Sequence, residues 1–316
     1  MKKGILFLCA LLLLSLVLLF FVRSEKKRTG ADTNVLGEKI EAGSDVDITF
    51  LDIGQGDATF IEFPDGQQML IDCAIDARVI EALGRVMDFY DRDLEYLVVT
   101  HPDLDHYGGC IDVLKRFDVS TIIYNGMEKP YDDLWVAFNS AIEEHQQEGK
   151  QYTLAEEQFV WTIASTTVNF LYPDHSIVDD PGVPGVKKEA NANDTSIIIK
   201  LSYGDQDVLL TGDAEEDLER YLVATYGDQL DVEILKAGHH GSQSSSIPEF
   251  ISSTSPVLAI ASAGKDNKFG HPARRVVRRF ERAGVEFWQT DIHGDIVVTL
   301  TSSSFQIVPQ YGGLTR

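Results

Sequence analysis

The sequence predicts an α/β fold in which two β-sheets are sandwiched between helical layers, preceded by a separate N-terminal membrane segment. Three observations carry this. Clusters of short β-branched, apolar runs alternate with amphipathic helical patterns in both halves of the chain. Of the 316 residues, 44% are hydrophobic and 24% charged, enough to build a sizeable core. The first twenty-odd residues, by contrast, form one continuous apolar stretch.

In that stretch, Lys2 and Lys3 precede an apolar run from Ile5 to Val22. It is longer than the ~7–15 residues of a cleavable signal core and near the ~17–20 that span a bilayer. It ends in Phe20, Phe21, Val22 and Arg23, with no small-x-small cleavage pattern, and Cys9 lacks the preceding small residue of a lipoprotein site. Residues 1–23 therefore read as an uncleaved signal anchor and 24–45 as a polar linker, leaving 46–316 as the domain. The basic residues after the run compete with Lys2 and Lys3 for the inner side. The reading places the domain outside the cytoplasm, held to the membrane by its N-terminal helix.

From Val46 the strand patterns begin. Asp47–Ile53, Ala58–Phe63 and Gln68–Asp72 alternate as strands, the last two joined at Pro64-Asp65-Gly66. Ala77–Tyr90 reads as an amphipathic helix and Leu94–Thr100 as a strand that delivers His101. Helix 131–148 carries Tyr131, Trp135 and Phe138 at helical spacing, read as core contacts. Residues 174–193, with several Pro, Gly and Asp, read as a loop. Ser196–Ser202 and Asp207–Thr211 form a second hairpin, Ala214–Thr225 a helix, and Val232–Ala237 a strand before His239 and His240. Val257–Ser262 is a strand and Pro272–Ala283 a helix. Phe287–Thr290, Asp295–Thr301 and Phe305–Val308 close the chain as strands. No solenoid-type repeat is present.

Acidic residues number 50 against 27 Lys plus Arg, a formal charge of −23. Such a surface repels phosphate backbones at long range and excludes a constitutive nucleic-acid coat protein. It does not exclude a nuclease, because bound metals offset charge locally. Arg274, Arg275, Arg278 and Arg279 fall on one helix and form either a solvated face or a basic strip. Cys9, Cys73 and Cys110 show no C-x-x-C spacing and read as buried free thiols. A Cys73–Cys110 bridge stays open for an extracytoplasmic domain.

The chemistry concentrates in Thr100–Gly109, T-H-P-D-L-D-H-Y-G-G. His101, Asp103, Asp105 and His106 fall within six residues, after a strand and before two glycines. Imidazole and carboxylate together suit Zn²⁺, Mn²⁺ or Fe. Leu209-Leu210-Thr211-Gly212-Asp213 brings a carboxylate to a second strand end. Lys236-Ala237-Gly238-His239-His240-Gly241-Ser242 brings two histidines to a third, at least one of them a ligand.

These segments, in this order, resemble the metallo-β-lactamase superfamily, and more narrowly the hydrolase domain of ComEC-type competence proteins and their stand-alone relatives. Phe50–Ala58, Leu70-Ile71-Asp72, Phe269-Gly270-His271-Pro272 and Thr290–Gly294 add to the resemblance, which runs from about residue 46 to 308. It implies an αββα sandwich with a cleft for two divalent metals, Zn or Mn. His101 and Asp103 would serve the first metal and Asp105, His106 and His239 the second, with Asp213 bridging and His240 the alternative to His239. Asp57 and Asp72 would lie near the cleft, Asp72 as a buried acceptor. The broader superfamily has His where Asp103 stands, and another His near Asn193 and Asp194; oxygen ligands in their place favour Mn²⁺ or a weakly held first metal.

The expected activity is phosphodiester hydrolysis outside the membrane, on DNA in uptake or on a cell-envelope polymer. Lactone, thioester or phosphocholine-type esters are the alternative, and a non-enzymatic metal-bearing module comes third. Asp105 would ligate or orient the nucleophile. His240 or His271 would donate a proton to the leaving oxygen. Ser242 and His271 would contact substrate; a solvated turn is the plainer reading of the serines. The sequence names no obligate protein partner.

Overall fold

The computed structural model describes residues 45–187 and 189–311. The anchor at 1–23 and the linker, save residue 45, lie outside the described residues. Among the described residues no helix is long and apolar enough to cross a membrane.

The first half runs β1 (Val46–Phe50), β2 (Thr59–Glu62), β3 (Gln68–Ile71), α1 (Arg78–Val86), β4 (Asp93–Val99), α2 (Leu104–Tyr107), α3 (Cys110–Arg116), β5 (Asp118–Tyr124), α4 (Asp133–Gln147) and β6 (Gln151–Leu154). The second runs β7 (Phe159–Ile163), β8 (Thr166–Tyr172), β9 (Ile198–Tyr203), β10 (Gln206–Leu210), α5 (Glu216–Tyr226), β11 (Ile234–Lys236), α6 (Pro248–Thr254), β12 (Leu258–Ala261), α7 (Arg274–Ala283), β13 (Glu286–Gln289) and α8 (Thr290–His293). Strands β14 (Ile296–Leu300) and β15 (Phe305–Pro309) then cross back to the first sheet. The eight-stranded sheet has the order β15-β14-β1-β2-β3-β4-β5-β6, and the seven-stranded sheet β13-β12-β11-β10-β9-β8-β7.

Period-two alternation separates the layers. Val98 and Ile123 face the other sheet, where they meet Ile199, Val208 and Ile260 in the central core. Their neighbours Leu97, Val99 and Ile122 point the opposite way, onto Val79, Leu83, Trp135 and Phe138 of α1 and α4. On the second sheet Leu209, Leu235 and Ala259 pack under Leu222, Phe250 and Phe280 of α5, α6 and α7. Three apolar layers thus separate four layers of structure, helix–sheet–sheet–helix.

Several expectations need correction. The helix expected over Ala77–Tyr90 stops at Val86: Met87 is extended, Asp91 N–H closes a turn onto the Asp88 carbonyl, and Phe89 and Tyr90 are exposed. Tyr131 is exposed ahead of α4, while Trp135 and Phe138 are core. Strands β5 to β8 occupy stretches left unassigned in the sequence; β7 is an edge strand with Val160 turned to solvent. Cys73 and Cys110 are joined in a disulfide, not free thiols. Gly109 makes that approach possible, since a Cβ there would lie 2.2 Å from the Cys73 carbonyl oxygen.

Candidate metal centre

Strands β3, β4 and β5 run parallel, as do β10, β11, β12 and β13. Their C-terminal ends bring the chemistry to one edge of both sheets. Asp72 follows β3, His101 follows β4, Asp213 follows β10 and His240 follows β11. Gly56 tucks the loop after β1 against this edge: its φ is +120°, a Cβ would lie 2.4 Å from the Asp105 carbonyl oxygen, and the Asp57 N–H donates to that same oxygen.

Asp57, His106, Asp213 and His240 are all buried, and each offers a ligand atom within 4.8 Å of the others. Each imidazole is held from behind. The Thr100 hydroxyl donates to Asp72 (2.8 Å), leaving its lone pair to accept His101 Nδ1–H at 3.0 Å. Asp72 Oδ2 accepts His106 Nδ1–H at 2.7 Å. The Ser262 carbonyl accepts His240 Nδ1–H at 3.1 Å, with Asp57 Oδ1 at 3.5 Å from the same nitrogen. With every Nδ1–H engaged from behind, each ring turns its Nε2 to the cleft, as a lone pair once the ring is neutral. Nε2 of His101, His106 and His240 and Asp213 Oδ1 are buried without hydrogen-bond partners. Asp213 Oδ2 stands 3.3 Å from both His106 Nε2 and His240 Nε2, and Asp105 Oδ2 is 3.4 Å from His240 Nε2. Buried polar atoms are nearly always satisfied. A cluster of unpartnered nitrogens around a carboxylate fits a divalent cation.

The charges respond to one another. Burial alone would raise the Asp213 carboxyl, but His106 and His240 hold it well below the carboxylate range. Burial would lower both imidazoles, yet Asp213 with Asp72 raises His106, and Asp213 with Asp57 raises His240. Lys236 is buried beside Asp57 in an ion pair, donates to the Gly212 carbonyl at 3.1 Å, and helps hold Asp57 ionised against its burial.

The remaining sequence candidates fall around this centre. Asp103 lies near His101, 3.7 Å between Oδ2 and Nε2, and pairs with Lys129. His239 and His240, consecutive residues at φ 46° and 54°, diverge. His240 turns into the centre. His239 turns its Nδ1 to Glu215 at 2.9 Å, with Nε2 3.8 Å from Asp213. Of the two alternatives the sequence left open, His240 lies in the buried cluster and His239 at its rim. Asn193 donates to Glu215 (3.1 Å), and Asp194 accepts the Glu215 N–H, so both brace Glu215. His271 stacks on His240 with ring centres 6.2 Å apart, and burial with His239 and His240 lowers it to about 4. Ser242 is buried and bonds Ser244, which reaches Glu215; Ser245 and Ser246 are buried too, so this is not a solvated turn. Sequence reasoning passed over Glu215 and Lys129. The acid two residues after Asp213 was the available signal for the first; nothing local marked the second.

Residues 51–265 match the family model described as the metallo-β-lactamase superfamily. ComE operon protein 3 of Bacillus subtilis (strain 168) is 26% identical over 289 residues, 85% of this chain and 35% of that protein. Competence protein ComA of Neisseria gonorrhoeae is 30% identical over 203 residues, 64% of this chain and 25% of that protein. The chain spans about a third or less of the length of these curated relatives. A mutant of the CmlA beta-hydroxylase aligns with a TM-score of 0.50 at 12% identity, covering 84% of this chain and 55% of that one, a likeness of fold alone.

Proposed function

The chain belongs to the metallo-β-lactamase superfamily, and from that premise we propose that it is a divalent-metal phosphodiesterase acting outside the membrane. The observation that carries the reading is the convergence of two buried imidazole nitrogens, those of His106 and His240, on Asp213, with the buried, unpartnered His101 Nε2 beside Asp103. His106, His240, Asp105 and Asp213 would hold one ion; His101, Asp103 and Asp213 would hold the other. Divalent ions at such a site activate water and neutralise charge on phosphoryl oxygens.

The chain's own residues do the positioning. Asp72, Thr100 and the Ser262 carbonyl fix the three imidazole tautomers. Asp57 and Lys236 neutralise one another behind His240, leaving Asp213 and Asp105 as the carboxylates aimed into the cleft. His240 has one ring nitrogen on Ser262 and the other in the centre, which removes it as a proton donor to the leaving group. His271, stacked on His240 with its Nδ1 buried and unpartnered, is the ring placed to meet substrate or the leaving oxygen. Oxygen donors at Asp103 and a cation at Lys129 suit a phosphate ester better than a lactone or thioester.

Residues 1–23 would anchor the chain. The Cys73–Cys110 disulfide supports an oxidising, extracytoplasmic setting. The name of one relative, competence protein ComA, supports a role in DNA uptake. The test is hydrolysis of bis-p-nitrophenyl phosphate by the purified chain with Mn²⁺ or Zn²⁺. The wild type should turn over, and His106→Ala and Asp213→Ala should each lose about a hundredfold or more in kcat/KM. Turnover of a lactone or thioester with none of the phosphodiester would overturn the proposal.

A further inference from the structure

One helix breaks the charge pattern of this acidic protein. Helices α1, α3 and α5 place acids in the first turn, and α1 and α3 end on Arg or Lys, as the helix dipole favours. Helix α7 inverts this, with Arg274 and Arg275 in its first turn and no acid there. At about 100° per residue, its five arginines fall within an arc of about 140°, away from the buried Val276 and Phe280. Arg279 is committed, donating to the Ser245 and Ser246 carbonyls. Arg274, Arg275, Arg278 and Arg282 are exposed, and among the described residues no hydrogen bond or ion pair engages them.

The arc starts at the metal centre. The Ala273 N–H donates to the Gly241 carbonyl (2.8 Å), so α7 springs from the turn that carries His240. Just before it, a column of rings leads outward: His271 stacks on His240, and Phe269 stacks on His271 with ring centres 5.7 Å apart and planes at 23°. Phe269 is 57% exposed, with the Lys268 ammonium 4.9 Å from its ring centre. An exposed ring at the mouth of the site, followed by unpaired guanidinium groups for about 12 Å along α7, matches a chain that is aromatic and anionic in alternation.

We propose that Phe269 and Lys268, with Arg274, Arg275, Arg278 and Arg282, form a docking track for single-stranded nucleic acid leading into the metal centre. A base stacks on Phe269 and the phosphates follow the arginines. This rests on the phosphodiesterase reading and specifies which surface selects a polymeric substrate. It also explains how a chain of charge −23 approaches a polyanion: the attraction is local and sits beside the ligands.

The test measures binding and turnover separately. Fluorescence anisotropy of a labelled single-stranded phosphorothioate oligonucleotide, which resists cleavage, is followed across salt concentrations for the metal-loaded full chain, Phe269→Ala, and the triple variant Arg274→Gln/Arg275→Gln/Arg278→Gln. Arg279 is left in place because it holds the serine loop. Phe269→Ala should weaken binding about tenfold. The triple variant should lower the slope of log affinity against log salt by about 2, at about 0.7 per lost phosphate contact. The ratio of oligonucleotide to bis-p-nitrophenyl phosphate kcat/KM should fall at least about fivefold in both.

Unchanged affinity and slope overturn the track, as do equal losses on both substrates. So does polyphosphate that competes as well as the oligonucleotide while Phe269→Ala has no effect. Track-dependent binding by a chain that cleaves no phosphodiester supports the surface and counts against the catalytic reading instead.

Discussion

At the residue scale the account rests on which ring nitrogen of each histidine faces the cleft. Asp72 decides this for His106 directly and for His101 through Thr100. Asp72→Ala should therefore lower metal affinity about 10–100-fold while leaving every proposed ligand in place; calorimetric titration checks it. The protons compete with the metal. In the metal-free fold burial opposes charging, but Asp213 with its neighbours holds His106 and His240 above the usual histidine value. Those ion pairs stabilise the metal-free fold below the pKa of a free imidazole, and that contribution is lost as pH rises through the raised values. Metal binding must release these protons, so affinity should fall between pH 8 and pH 6. Equal or tighter binding at pH 6 would contradict this. The cluster from His101 to His106 was legible because its members are contiguous. The choice between His239 and His240 was not, because it depends on two successive left-handed residues, 46° and 54° in φ, that fan the rings apart. Left-handed backbone at a β-carbon residue costs about 1–3 kcal/mol, a strain that tends to gather at functional sites.

At the element scale the disulfide ties the loop after β3, which carries Asp72, to the start of α3, one turn beyond His106. The Cys73 N–H also donates to the His106 carbonyl at 2.6 Å. The bridge closes a span of 37 residues, so Cys73→Ser/Cys110→Ser should lose about 3–4 kcal/mol by denaturant titration. Reductant should lower the wild type in parallel and leave the variant unmoved; a variant as stable as the oxidised wild type would contradict the assignment. Spacing alone could not reveal this pair, since 37 residues fix no geometry. Most strands of the central core were legible as apolar runs, though interior strands β5 and β8, which supply Ile123, Val168 and Phe170, went unassigned. Edge strand β7 was not legible, because only Ile163 of its five residues is buried and Val160 and Thr162 face solvent.

For the whole molecule, the sandwich closes when the chain crosses from α8 back to the first sheet. Asp295, at the entry to β14, accepts two hydrogen bonds from Arg85 of α1 at 2.6 and 2.7 Å and one from the Asp52 N–H at 2.7 Å. Asp295→Ala leaves the Asp52 N–H unpaired and the exposed Arg85 with only its bond to the Asp52 carbonyl, and should cost about 1–3 kcal/mol, seen as a lower denaturation midpoint with unchanged slope. Cost below about 0.5 kcal/mol would show that β14 and β15 dock without this clasp. The alternation of strand clusters and helices foretold the two sheets. It did not foretell that the last two strands of the chain belong to the first sheet, since β1 pairs with β14 across some 250 residues of sequence and no local pattern encodes so distant a partner.

Asp105, His106, Asp213 and His240, with His101 and Asp103, are the residues proposed to hold divalent metal. The most direct test is the metal content of the purified chain after Mn²⁺ or Zn²⁺ loading, read by mass spectrometry beside His240→Ala and His239→Ala. The wild type should carry about two ions per chain, His240→Ala about one or fewer, and His239→Ala the wild-type content. A wild type that retains no metal, or a loss confined to His239→Ala, would contradict that assignment.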